Sequence, residues 1–213
     1  MPRRNSPRSG NLRKALAQEA ARIMEQQGIR DFLTAKRKAA ERLSVNDEGA
    51  LPRNSEIELA LAEYQRLFAA DAHGASLLAQ RQVALRAMQH LADFEPRLVG
   101  PVLSGTATGH ADVQLHLFAD RPESIILQLL DQGIEHEVTE RRLRMGVDQV
   151  KAYPGLRFEL DQQMVDATVF PLDGIRQAPI SPVDGRPMRR ADTTELEILL
   201  ADARSPDAPG VSD

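Results

Sequence analysis

The sequence predicts an α+β protein, with a helical N-terminal region packed on a small mixed sheet. Apolar residues recur at helical spacing through residues 11–95. Beyond them they alternate in short runs, as in Val113-Gln114-Leu115-His116-Leu117 and Leu156-Arg157-Phe158-Glu159-Leu160. A period near 3.6 belongs to a helix resting on a core, and a period of 2 to a strand with one buried face. A hydrophobic content of 42% against 27% charged is that of an ordinary globular chain, and 213 residues bury a substantial core.

Residues 1–10 mix proline, serine, glycine and arginine, have nothing to pack, and are expected to be disordered. From Asn11 the stripe Leu12, Leu16, Ala20, Ile23 marks a helix that stops at Gly28. Asp31 caps a second, basic helix with Phe32, Ala35, Ala39 and Leu43 inward and Lys36, Arg37, Lys38 and Arg42 outward. Turn formers between Ser44 and Asn54 end this pair. Ser55 and Glu58 read as a capping box for a third helix buried through Ile57, Leu61, Tyr64 and Phe68, and a fourth spans about 75–94.

The apolar run Leu98 to Leu103 reads as a first strand and the alternating run through Leu117 as a second. Pro122 opens a helix that ends at Gly133. Strands follow at Ile134–Leu143, Leu156–Leu160 and Met164–Phe170, the last two joined by a turn at Asp161-Gln162-Gln163, with Asp166 near the sheet centre. Residues 171–188 hold four prolines and form an irregular wrap. Thr193 or Thr194 caps a final helix through Leu200, and 204–213 are tail. The expected domains are thus a helical region, 11–95, and an α/β domain, 96–203.

Composition excludes several chemistries. The absence of cysteine removes disulfides, thiolate nucleophiles and zinc–thiolate sites, and fits a reducing compartment. No apolar stretch reaches the roughly twenty residues needed to cross a bilayer, so the expectation is a cytoplasmic protein without a membrane partner. Residues 1–43 hold eleven Lys and Arg against four Asp and Glu, which leaves −11 on the remainder of a chain of net charge −4. The basic segment 11–43 can meet an acidic protein or nucleic acid, although 4% aromatic content offers little for base stacking.

The chemistry concentrates between Arg97 and Asp120. Alternation puts Val113, Leu115 and Leu117 on one face and His110, Asp112, Gln114 and His116 on the other. Ser104-Gly105-Thr106 precedes that strand, and Asp166 sits in the later run Met-Val-Asp-Ala-Thr-Val-Phe. A strand ending in Gly-Thr and followed by Asp-Val-Gln-Leu resembles the nucleotidyltransferase superfamily of polymerase beta. Most of the chain is similar to an uncharacterised proteobacterial group that carries the same label.

That resemblance implies transfer of a nucleotidyl group from a nucleoside triphosphate, with Gly-Ser after the first strand, Asp-x-Asp on the second and a third Asp later, together holding two magnesium ions. On this sequence Gly105 and Thr106 match the Gly-Ser pair, Asp112 the first carboxylate and Asp166 the third. Gln114 replaces the middle one, and only five residues separate Thr106 from Asp112, a shorter connection than the family's. The implied magnesium ligands are Asp112, Gln114 and Asp166. The amide of Gln114 brings a neutral oxygen where the family has a charge, which weakens the hold on two dications.

Each candidate also has an ordinary reading. Asp112 fits a solvated position on an edge strand as well as a ligand; Asp166, in an apolar strand, calls for a partner, a ligand or a cleft. Gly105 and Thr106 fit a tight hairpin as well as a phosphate cradle. Arg141 and Arg142 fit a triphosphate or a wet strand end. His110 and His116 lie six residues apart, ~20 Å along a strand at about 3.3 Å per residue, too far to share one ion. Two functions remain open: a magnesium-dependent nucleotidyltransferase, and a catalytically inactive relative that binds partners through residues 11–43.

Overall fold

A computed structural model describes residues 7–203. The described residues form seven α-helices and a five-stranded mixed sheet, the α+β class expected. They fall into two compact units: one holds the described residues up to Gly74 with Thr106–Ala111 and Pro182–Gly185, the other Ala75–Gly105, Asp112–Ser181 and the described residues from Arg186.

The first unit is built on α1 (Pro7–Gln27), α2 (Phe32–Arg42) and α3 (Asn54–Phe68). Helix α1 starts earlier than Asn11, because Pro7 suits a first turn where its missing N–H costs nothing; residues 1–6 lie outside the described part. Asp31 caps α2 as expected, accepting from the Thr34 amide at 2.7 Å. The core is Leu16, Ile23, Met24, Ile57 and Leu61 with Ala20, Ala35 and Ala39, whose small side chains let the helices approach.

Two expectations for α3 are corrected. Its capping carboxylate is Glu56, which accepts from the Arg53 amide at 2.6 Å, not Glu58. Its buried stripe runs Ile57, Leu61, Gln65, and Phe68 is 73% exposed. A glutamine displaces an aromatic ring from the core because it has backbone partners there, given below.

The second unit contains most of α4 (Ala70–His90), then β1 (Arg97–Val99), α5 (Gly100–Ser104), β2 (Val113–Phe118), α6 (Pro122–Asp131), β3 (His136–Arg144), β4 (Val150–Leu160), β5 (Gln163–Phe170) and α7 (Thr193–Asp202). The run Leu98–Leu103 is not one strand. At Gly100 the backbone turns to φ +71°, and Pro101 then starts a helical turn.

The sheet order is β1-β2-β5-β4-β3, with β2 and β5 parallel and every other pair antiparallel. Asp161 and Gln162, at φ +50° and +63°, make the tight β4–β5 turn, and β5 is the central strand as expected. One face buries Leu98, Val113, Leu115, Leu117, Leu156, Phe158, Val165, Ala167 and Val169. Helices α4, α6 and α7 add Met88, Ile125, Leu129, Leu196 and Leu200, with Leu91 just after α4. The α7 cap is Asp192 rather than a threonine, its carboxylate accepting from the Glu195 amide at 2.9 Å. Residues 172–176 form a 3-10 turn, followed by a Ile180–Pro187 bridge. No helix among the described residues is long and apolar enough to cross a membrane.

Candidate functional site

Residues paired across neighbouring strands share a face. Gln114 pairs with Asp166, His116 with Thr168 and Phe118 with Phe170; across β4, Asp166 pairs with Arg157 and Thr168 with Gly155. On β3, Thr139 lies opposite Gly155 and Arg141 opposite Tyr153. The face away from the apolar core therefore collects Gln114, His116, Asp166, Arg157 and Arg141, with Asp112 just before β2. Two positions along at about 3.3 Å per residue and one strand across at about 4.8 Å set the backbones of Asp112 and Asp166 roughly 8 Å apart.

Both carboxylates meet arginines. Arg141 forks onto Asp166, Nε donating to Oδ1 at 3.1 Å and Nη2 to Oδ2. To do so it crosses β4 diagonally above Gly155. A Cβ at Gly155 would stand 2.5 Å from Thr139 Oγ1 and 3.2 Å from Arg141 Cγ, so only glycine leaves this path open. Arg157 Nη2 lies 3.6 Å from Asp112 Oδ2. The Asp112 side chain is only 9% exposed, and β2 lies between β1 and β5, so this aspartate is not a solvated edge residue.

The remaining candidates are placed apart from this cluster or engaged in other bonds. Arg142 lies opposite Ala152, on the other face from Asp166. Gly105 ends α5, its amide donating to the Pro101 carbonyl at 2.9 Å. Thr106 belongs to the other unit, where its hydroxyl donates to Glu58 Oε1 at 3.1 Å. There Gln65 Nε2 donates to Glu25 Oε2 at 2.9 Å and to the Thr106 and Ala107 carbonyls at 3.5 and 3.4 Å. A segment held by Glu58 and by Gln65, which is itself bonded to Glu25, offers an anion little welcome, since carboxylates repel it. Helix α5 precedes the Gly-Thr pair, whereas a phosphate cradle uses the N-terminus of a helix that follows.

His116 is buried. Its Nδ1 accepts from Arg190 Nε at 3.0 Å, so the ring is neutral. Burial, reinforced by the Arg190 charge, pushes its pKa down to about 3. Arg190 in turn lies 5.0 Å over the rings of Phe118 and Phe170 and donates to the Gly174 and Ile175 carbonyls. Burial, with Arg97 nearby, lowers its own pKa to about 10. His110 is not on the strand but packs against Gly28 in the first unit.

No family model matches the sequence, and no curated protein matches it. Among the described residues no group of three or more His, Asp or Glu is assembled to hold a metal ion. Asp112, Gln114, Asp166 and Arg141, all named from the sequence, lie in this cluster, while Arg157, Arg190, Gln65 and Glu58 were not among the site candidates. Arg157 was legible as a charged residue alternating between Leu156 and Phe158, next to an unexplained glycine at Gly155. Nothing local in the sequence marks Arg190.

Proposed function

We propose that this protein is a nucleotidyltransferase-like module that works by binding rather than by phosphoryl transfer. The observation that carries this reading is the Arg141 fork on Asp166. Two-metal catalysis needs carboxylates open to dications, and here one is held by a guanidinium and the other faces Arg157. A guanidinium beside each carboxylate supplies the positive charge that magnesium would bring. The partner is an acidic protein or nucleic-acid surface met by the exposed basic residues of α1 and α2, among them Lys14, Arg37 and Lys38. The cysteine-free composition suits such a module in the cytoplasm.

Isothermal titration with magnesium and each nucleoside triphosphate tests the first half; no heat from any pair is the expected result. Capture of an anionic partner should fall at least tenfold in a Lys14→Glu, Arg37→Glu, Lys38→Glu variant. Deleting residues 1–43 is a poor substitute, because Leu16 and Ile23 belong to the core of that unit.

A second reading, a magnesium-dependent transferase acting on a nucleoside triphosphate, is favoured by one observation. Gln114 and Asp166 stand side by side on parallel strands, as the resemblance implies for the metal-binding positions. Heat on titration that vanishes in Asp166→Asn would establish it over the first.

A further inference from the structure

Among the described residues the sheet has one open edge, because the Leu98–Ala191 bridge covers β1. Strand β3 pairs only with β4, and among the described residues no strand covers its outer side. The direction of its backbone groups follows from two bonds at its end. The Met145 amide donates to the Gln149 carbonyl within the β3–β4 hairpin, while the Arg144 carbonyl accepts from the Ile180 amide on the opposite side, at 2.7 Å each. Backbone direction alternates along a strand, so His136, Val138, Glu140 and Arg142 turn both N–H and C=O outward. Ile180 closes the edge at Arg144, and the free stretch is 136–142.

We propose that this stretch pairs antiparallel with the same stretch of a second copy of this chain, joining two sheets into one of ten strands. An antiparallel pairing that uses all of 136–142 has its two-fold axis at Thr139. It puts Val138 opposite Glu140 of the partner subunit and Glu137 opposite Arg141 of the partner subunit. The stretch is acidic where it begins, at Glu135 just before β3 and at Glu137, and basic where it ends, at Arg142 and Arg144, next to the Arg141 held on Asp166. Two antiparallel copies therefore lay the acidic end of each strand along the basic end of the other. The same charges discourage pairing with strands of other sequence, the usual protection of an edge.

One further observation fits this occupant. Val138 is 61% exposed on a strand, and across the axis it meets its own copy diagonally.

The test uses the absence of cysteine. At the axis Thr139 faces its copy in a non-hydrogen-bonded pair, with Cα atoms about 4.5 Å apart, inside the range of about 4.4–6.8 Å that a disulfide spans. Thr139→Cys should give a covalent dimer under mild oxidation at micromolar protein. Leu59→Cys, 72% exposed on α3, should not. Sedimentation of the unmodified chain should show twice the 23.6 kDa of one copy. Val138→Pro removes an outward N–H that β4 does not use, so it should return a folded monomer. A wild-type monomer at these concentrations, or Thr139→Cys cross-linking no faster than Leu59→Cys, overturns the proposal, whether the edge takes another strand or none.

Discussion

Arg141 and Asp166 are two strands apart, and the arginine spans the strand between them to hold both oxygens of the carboxylate. Replacing Arg141 by alanine leaves a mostly buried charge unpaired. Breaking a fully buried pair costs about 3–5 kcal/mol. With Arg141 35% exposed, water screens part of that, and about 2 kcal/mol is expected from urea midpoints. Arg141→Lys should recover less than half, because an ammonium cannot reproduce the fork.

Gly155 keeps the crossing open. Gly155→Ala should cost about 1–3 kcal/mol through overpacking against Thr139 and Arg141. Thr139→Ala removes the closer obstacle, so the double variant should be more stable than Gly155→Ala alone. Additive losses in this cycle would mean that the crowding lies elsewhere.

His116 gives the fold an acid sensitivity of known sign. Its folded pKa of about 3 lies below the ordinary imidazole value of 6.5. Between these values the unfolded chain binds a proton that the native state refuses. Stability should therefore fall as pH drops below about 6.5, by up to about 1.4 kcal/mol per unit from this group, with no effect above it. His116→Gln, which keeps an acceptor for Arg190, should flatten that slope in thermal unfolding between pH 4 and 6.

Gln65 anchors residues 106 and 107 through their carbonyls. Gln65→Leu fills the space but leaves those acceptors and Glu25 without their donor, so a loss of about 1–3 kcal/mol is expected. Faster amide exchange confined to residues 106–111 would locate the effect.

What the sequence disclosed follows from how local each signal is. The α2 cap at Asp31, the β2 alternation and the turn at Asp161 depend on neighbours a few residues away, and each was readable. The Leu98–Leu103 run misled because apolar content cannot separate strand from buried helix; Gly100 and Pro101 carried the distinction. Phe68 misled by its size, since the position on the buried stripe belonged to Gln65, whose partners lie 41 and 42 residues away. The carboxylates of the candidate site could be named from their surroundings, but their arginine partners depend on strand order, which no motif encodes.

Arginines stand where a metal-binding site would need open carboxylates. The most direct measurement is the free manganese resonance signal as protein is titrated into manganese, with and without nucleoside triphosphate. The wild-type chain should leave the signal unchanged, and a Gln114→Asp, Arg141→Ala variant should begin to quench it. Stoichiometric quenching by the wild-type chain, abolished by Asp166→Asn, would show that the carboxylates are open to the metal after all.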